Sequence, residues 1–152
     1  MRRTDREITN RKEIVDVLNR SDTIRLGIHG DPYPYVVPLS FGWEDTGNEI
    51  HIYFHGANEG FKHALLEHNN HVCVEADIFH KYITTDVSLS AEYESVIGFG
   101  TAEIVEGDEA AKAMALVCDH CGYPGFVCET IPLETMKIYR ITLSSITGKR
   151  RL

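Results

Sequence analysis

The sequence contains no run of about 20 apolar residues, which is the length that a membrane-spanning helix needs. Residues 1–7 carry charge, but no apolar stretch follows them, so the pattern of a secretory signal is missing. We therefore expect a cytoplasmic protein that has no membrane partner.

Positive charge is scarce. The chain has 15 Lys and Arg against 23 Asp and Glu, a formal net charge of −8. Because phosphate contacts need a basic surface, this balance argues against nucleic acid as a partner. Eight of the 15 basic residues lie in two short segments, residues 2–12 and 149–151. They are either solvated terminal segments or part of a site for a small anionic ligand.

Linkers, repeats and low-complexity tracts are also missing, and 152 residues are too few to divide into two stable cores. We expect a single domain over residues 1–152. The four cysteines do not suggest a disulfide framework, since cytosolic thiols are normally reduced. Cys118 and Cys121 form a CxxC with Cys128 beyond it, but the second pair of a structural zinc site is missing, so no metal site is predicted.

Hydrophobic periodicity gives the expected secondary structure. The predicted helices cover 11–20, 59–69 and 108 to about 122. The predicted strands cover 23–29, 35–41, 49–55, 71–76, 93–105 and 136–146. Residues 78–92 are poorly patterned and suggest at most a short strand. Because short turns link most of the strands, we expect a mainly β fold, an antiparallel barrel with peripheral helices.

The segment His55–Lys62 is the first candidate site. A predicted strand ends there, small residues let the backbone turn closely, and a helix begins. Free N–H groups at a helix N-terminus attract an anion, Gly60 permits close approach, and Lys62 can fold back over a phosphate. The alternative is an ordinary helix start with an exposed lysine.

The strand around Gly98 is the second candidate. Alternation places Val96, Gly98 and Gly100 on one face, which leaves a surface poor in side chains. Such a surface is either a flat slot for a planar ligand or a barrel corner where another strand approaches closely. Both interpretations stay open.

Five separated segments, 1–8, 38–42, 55–62, 93–100 and 146–151, resemble the nitroimidazole-resistance (NimA-like) flavoproteins. These belong to the pyridoxamine 5′-phosphate oxidase-related FMN-binding split-barrel superfamily. The resemblance implies a six-stranded antiparallel split β-barrel of Greek-key type. It also implies a homodimer that holds FMN at the subunit interface.

The resemblance further implies which residues contact FMN. The isoalloxazine ring system is lined by Pro38, Leu39, Ser40 and Phe41 and flanked by His55, Gly56 and Ala57. The phosphate is held by Gly60, Phe61 and Lys62. The ring is also contacted by Ser95, Val96 and Gly98, and Lys149 reaches the cofactor from the same or the partner subunit. Many relatives have Asn in place of Ser40 and a basic residue in place of Phe61.

The expected activity is reduction of a small planar acceptor, such as a nitroaromatic, with electrons from NADH or NADPH. His55 is the predicted catalytic residue, placed beside this small-molecule substrate as a proton donor or orienting group. Three alternatives remain. They are a non-enzymatic flavin-binding or redox-sensing protein, a pyridoxamine 5′-phosphate oxidase-like enzyme, and a metal or haem module that uses the cysteines and histidines.

Overall fold

The computed structural model describes residues 3–126 and 133–152. The helices are α1 (Arg11–Arg20), α2 (Phe61–His68) and α3 (Gly107–His120), with short 3-10 helices at Thr4–Arg6 and Leu133–Thr135. The strands are β1 (Glu7–Ile8), β2 (Ile24–Ile28), β3 (Tyr35–Leu39), β4 (Gly42–Asp45), β5 (Ile50–Ala57), β6 (His71–Thr84), β7 (Leu89–Ile104) and β8 (Met136–Arg151).

The strands form one antiparallel sheet in the order β3-β2-β6-β7-β8-β5-β4, and β1 pairs with β8. The path begins at β3 and ends at β4, and Ser40 and Phe41 join these two strands. The predicted antiparallel split barrel with peripheral helices is confirmed. Its six longer strands, β2, β3 and β5 to β8, correspond to the six expected, whereas β1 and β4 are short additions that the sequence pattern did not indicate.

Strands β6 and β7 are each longer than predicted. Residues 78–92 belong to the β6–β7 hairpin, which continues past a bulge between Phe79 and Lys81. Phe79, Tyr82 and Leu89 on this hairpin are exposed. With no core to cover, the hairpin needs no hydrophobic alternation, and the periodicity that identifies a strand is lost there.

Strand β8 also continues beyond Ile146, to Arg151. Within this added part, Lys149 of β8 pairs with Ser95 of β7. Lys149 therefore belongs to a regular strand and not to a loose basic tail. Its polar neighbours Thr147 and Arg150 gave no hydrophobic signal for a strand.

The barrel interior is filled by inward-facing side chains from the strands, among them Leu26, Ile52, Val74 and Ile141, which are nearly or fully buried. Helix α1 covers one part of this core with Ile14, Val17 and Leu18, and Asn10 caps it through a bond from the Lys12 amide at 2.9 Å.

Helix α3 packs on β4 and β5 around a second cluster that includes Tyr53, Ala113 and Val117. The contact is close: a Cβ on Gly42 would lie 2.5 Å from backbone atoms of Leu116 and Val117. None of the helices in the described part of the chain is long and apolar enough to cross a membrane.

Candidate functional site

The predicted site residues fall into two groups that a single chain does not unite. His55 lies opposite Ile138 near the start of β8, whereas Ser95 lies opposite Lys149 near its end. Eleven residues of β8 separate these two points, about 36 Å at about 3.3 Å per residue. The first group is the segment His55–Lys62, which we call the β5–α2 corner. The second group consists of Ser95, Val96 and Gly98 on β7 and Lys149 on β8.

The β5–α2 corner is a strand end followed directly by a helix start. Strand β5 ends at Ala57 and α2 begins at Phe61. The N-cap is Gly60, with φ +140° and no side-chain cap, and the first turn of α2 carries no acidic residue. A helix N-terminus has a partial positive charge and amides that its own turns do not bind, so this geometry favours an anion.

Lys62 adds a full charge at this corner. Its ammonium nitrogen lies 5.3 Å from the centre of the Phe54 ring, and burial lowers the pKa of Lys62. In residues 3–126 and 133–152, no carboxylate forms an ion pair with Lys62. A partly desolvated cation without a counter-ion is costly, and a bound anion would remove that cost.

Gly56 makes room for Lys62. A Cβ at position 56 would stand 2.8 Å from the Lys62 nitrogen and 3.2 Å from the His63 ring. Lys62 and His63 thus occupy the space that any other residue at position 56 would fill. This close packing explains why position 56, near the end of β5, is a glycine. The sequence alone indicated only that a small residue lets the backbone turn there.

His55 contributes a buried polar atom with no partner. Its Nδ1 is shielded from solvent and makes no hydrogen bond to any of the described residues. Burial, and then the nearby Lys62 charge, lowers the pKa of His55. Buried polar atoms in folded proteins are nearly always hydrogen-bonded. A buried His55 Nδ1 without a hydrogen bond, near a Lys62 without a carboxylate partner, therefore indicates a ligand. The residues present fit a group that bears a phosphate.

Sequence reasoning missed His63 and Tyr139. Both are nearly fully buried, and Nδ1 of His63 lies 2.9 Å from the Tyr139 hydroxyl. The Tyr139 ring stacks on Phe54 and His63, and burial raises its pKa to about 12. Tyr139 is 76 residues away in the chain, and no sequence signal links it to the corner.

The segment Pro38–Phe41 lies next to β4 and is only partly available to a ligand. Pro38 and Ser40 are exposed and Leu39 is half-buried. Phe41 is fully buried and its ring centre is 4.2 Å from that of His120, so the expectation that its side chain lines a cofactor ring is corrected. Phe61, by contrast, is 62% exposed and contacts Tyr35 edge-on.

The glycine-bearing face of β7 is not a slot. A Cβ on Gly98 would lie 3.0 Å from Leu143, and one on Gly100 would collide with the Thr142 carbonyl. A bulge in the β7–β8 pairing falls between Phe99 and Gly100. On this face the glycines therefore leave no slot for a planar ligand, and contact between Gly98 and a flavin stays a prediction. The alternative, close approach of another strand at a barrel corner, is confirmed.

Of the remaining residues in the second group, Val96 is buried in the core, so its side chain is not on a ligand face. Ser95 and Lys149 are half-buried cross-strand partners, and the Lys149 nitrogen lies 5.6 Å from the centre of the Tyr93 ring. Burial raises the pKa of Tyr93, but the interactions with the nearby Lys149 and Arg6 together outweigh it, so this pKa is lowered. This is a compact basic cluster at the far end of β8.

The thiols are spread over the fold. Cys73 and Cys118 are half-buried and Cys121 is exposed, and Cys128 lies outside the described residues. Within 3–126 and 133–152 no group of three or more His, Cys, Asp or Glu side chains is arranged to hold a metal ion.

The fold and the corner together define a split-barrel protein whose β5–α2 corner has a geometry and a charge that favour an anion. The family model described as pyridoxamine 5′-phosphate oxidase matches residues 10–150, and the chain belongs to this family. No curated protein matches the chain.

Solved structures agree on the fold. A candidate 5-nitroimidazole antibiotic resistance protein from Bacteroides thetaiotaomicron is 28% identical, with a TM-score of 0.83 over 94% of this chain and 85% of that one. The flavocytochrome Anf3 from Azotobacter vinelandii is 21% identical, with a TM-score of 0.79 over 100% of this chain and 72% of that one. A FAD-binding protein from Mesorhizobium loti is 20% identical, with a TM-score of 0.70 over 97% and 98%.

Proposed function

We propose that the protein binds FMN and reduces a small planar acceptor, such as a nitroaromatic, with electrons from NADH or NADPH. The observation that carries this proposal is the pairing of two unsatisfied groups at the β5–α2 corner. They are the buried Nδ1 of His55 and the ammonium group of Lys62. A flavin phosphate at this point gives the cation its counter-ion, and the imidazole of His55 is then left to contact the ring end of the cofactor or the acceptor.

The solved structures support a flavin at this fold. The Mesorhizobium loti protein is described as FAD-binding, and a Mycobacterium smegmatis neighbour of 17% identity as FAD- and haem-binding. FAD and FMN share the ribityl phosphate, which is the group that the corner fits. The nitroaromatic acceptor rests on the description of the Bacteroides protein and on the sequence resemblance.

The separation of the two residue groups supports a homodimer. About 36 Å of β8 lies between the corner and Lys149 in one chain. A site that uses both groups needs Lys62 from one subunit and Lys149 from another. In the proposed dimer the cofactor lies at the interface, with its phosphate at the corner and the second subunit's basic cluster facing its rings.

Each corner residue has a defined part in this proposal. Lys62 and the start of α2 hold the phosphate, and Gly56 leaves the space that Lys62 needs. Bound FMN would supply the redox chemistry, taking a hydride from the nicotinamide and passing electrons to the acceptor. His55 lies beside the acceptor. Because its pKa is lowered, it is mostly neutral near pH 7 and donates a proton from the small imidazolium fraction.

A visible absorption spectrum of the purified protein, followed by anaerobic mixing with NADH or NADPH, tests the proposal. We expect a flavin spectrum that bleaches with one of the donors and recovers when a nitroimidazole is added. A flavin spectrum that neither donor bleaches would contradict the oxidoreductase and leave a flavin-binding protein. Oxidation of pyridoxamine 5′-phosphate without nitroimidazole turnover would contradict the acceptor.

The variant His55→Ala separates binding from turnover. We expect it to retain FMN and to reduce the acceptor more slowly. The matched control is His68→Ala, an exposed histidine in the last turn of α2. Unchanged turnover in His55→Ala would remove this residue from the mechanism.

A further inference from the structure

A second group of positive charges lies at the end of β8 that is far from Lys62, and the proposed function uses only a part of it. The 3-10 helix Thr4–Arg6 leads into β1, and β1 pairs with the last residues of β8. This pairing brings the two basic segments of the sequence together. We call the side chains that meet there the terminal basic cluster: Arg3, Arg6, Lys149, Arg150 and Arg151.

The terminal basic cluster surrounds an open pocket of about 410 Å³. Small-molecule sites typically have volumes of about 300–1,000 Å³. Guanidinium groups present their N–H donors in a planar fork that fits phosphate and carboxylate groups, so arginine walls favour an anion. Four of the six residues that line the pocket are arginines: Arg3, Asp5, Arg6, Arg150, Arg151 and Leu152.

Carboxylates of the protein neutralise two of these arginines. Arg3 binds both oxygens of Asp5, at 2.7 and 2.6 Å, and Arg150 binds Glu13 at 2.8 Å. Arg6 is served less well, because the Asp5 oxygen that lies 3.9 Å from its Nε already accepts a hydrogen bond from Arg3. The Arg6 side chain is only 22% exposed, so water does not fully replace the missing partner.

Arg151 and Lys149 form no ion pair with a carboxylate in the described part of the chain. Arg151 donates a hydrogen bond to the neutral hydroxyl of Ser90, and the Lys149 ammonium group lies over the Tyr93 ring. Glu7 lies opposite Lys149 in the β1–β8 pair, yet it makes no ion pair with it.

Positive charge is therefore in excess at this point of an otherwise acidic protein. The pKa of Tyr93 agrees with this excess: burial raises it, but Lys149 and Arg6 together outweigh burial and lower it. The formal net charge of −8 repels an anionic ligand everywhere except where positive charge is concentrated. A bound anion would provide the partner that these half-buried cations lack.

We propose that the terminal basic cluster is a second anion site, which binds a phosphate group of the nicotinamide dinucleotide that reduces the flavin. The proposal rests on the proposed function, in which Lys149 of one subunit faces the flavin rings held by the other. Lys149 and Arg151 lie on one face of β8, about 7 Å apart along the strand. A nicotinamide that stacks on the flavin near Lys149 leaves the phosphates of the same molecule beside Arg6 and Arg151.

Adenosine phosphates test the cluster without a redox reaction, because they lack the nicotinamide. Isothermal titration calorimetry with FMN-saturated protein compares ADP and adenosine 2′,5′-bisphosphate with adenosine. We expect Arg6→Gln and Arg151→Gln each to weaken binding of the phosphates about 10-fold, the effect of one lost charged contact. The matched control is Arg11→Gln, which should bind them as the unmodified protein does. Arg11 comes from the same basic segment as Arg6, but Asp45 holds it at 2.8 and 3.1 Å.

The two phosphates distinguish which part of the dinucleotide the cluster binds. Tighter binding of the 2′,5′-bisphosphate assigns the cluster to the 2′-phosphate, and the donor is then NADPH. Tighter or equal binding of ADP assigns it to the 5′-diphosphate, which NADH and NADPH share. In stopped-flow measurements, Arg6→Gln should raise the donor concentration that gives half of the maximal rate of flavin reduction about 10-fold. The maximal rate itself should not change.

Binding of adenosine as tight as that of ADP, no binding of either phosphate, or equal losses in Arg6→Gln and Arg11→Gln would overturn the proposal. If a donor bleaches the flavin while the Arg6 and Arg151 variants bind the phosphates normally, the second site fails and the proposed function stands. If neither donor bleaches the flavin but both variants lose phosphate binding, the oxidoreductase fails and the anion site stands.

Discussion

The ammonium nitrogen of Lys62 stands 2.8 Å from the point where a Cβ on Gly56 would lie. The two residues therefore share one small volume, and only a glycine at position 56 lets the lysine occupy it. Because the tip of a lysine is flexible, a methyl group there displaces the ammonium group without unfolding the barrel.

We predict that Gly56→Ala keeps the melting temperature within a few degrees but weakens FMN binding about 10-fold, through loss of the charged contact. Isothermal titration calorimetry measures the affinity. Gly27→Ala is the matched control, since its Cβ would meet Cys73 at an ordinary 3.5 Å. Equal affinities of the two variants would show that Lys62 does not act at this position.

If each FMN site takes Lys62 from one subunit and Lys149 from the other, two different defective subunits should together form one intact site. Lys62→Met and Lys149→Met should each bind FMN poorly as homodimers. A heterodimer of the two variants, purified through two different tags, should regain about half of the wild-type number of tight sites. One of its two sites has both lysines and the other has neither. If the heterodimer binds no better than either homodimer, the two groups do not meet across an interface.

The glycines of β7 should act on stability and not on ligand binding. A Cβ on Gly100 collides with the Thr142 backbone, which cannot move aside, whereas one on Gly98 meets the more adaptable Leu143 side chain at 3.0 Å. Overpacking typically costs about 1–3 kcal/mol. We expect Gly100→Ala to lower the free energy of unfolding by at least the upper part of that range, and Gly98→Ala by less. Urea unfolding monitored by circular dichroism measures both changes. If the Gly100→Ala variant is as stable as the unmodified protein but fails to bind FMN, these glycines contact the ligand after all.

The pH dependence of turnover should follow His55. Burial and Lys62 lower its pKa from 6.5, so the folded protein holds the proton-donating form only at more acidic pH. The rate of acceptor reduction should therefore be low near neutral pH and rise as the pH falls through the lowered pKa. Stopped-flow measurements between pH 5 and 8 test this. His55→Ala should show no such rise, and a rate that falls toward acid would contradict the role as proton donor.

The sequence predicts the scaffold well where burial imposes a pattern. Asn10 and the apolar residues Ile14, Val17 and Leu18 indicate α1 because one face of that helix covers the core. The pattern fails on the β6–β7 hairpin, where Phe79 and Tyr82 are exposed and no core imposes alternation.

The candidate site is predictable only in its local part. His55, Gly60 and Lys62 lie within eight residues, and the change from strand to helix is visible in the sequence. The hydrogen bond between His63 and Tyr139 joins residues 76 positions apart. Nothing in the sequence around either residue indicates that the two side chains meet. The glycines of β7 left two interpretations open because the sequence shows the same glycine whether a ligand or a neighbouring strand approaches it.

The most direct test compares FMN with riboflavin, which differ only in the phosphate. The charged contact at Lys62 is expected to contribute about 1.5–3 kcal/mol, so FMN should bind about 10- to 150-fold more tightly than riboflavin. Lys62→Met should remove that preference, and Lys81→Met, an exposed lysine on β6, should leave it intact. Equal affinities for FMN and riboflavin in the unmodified protein would contradict the account.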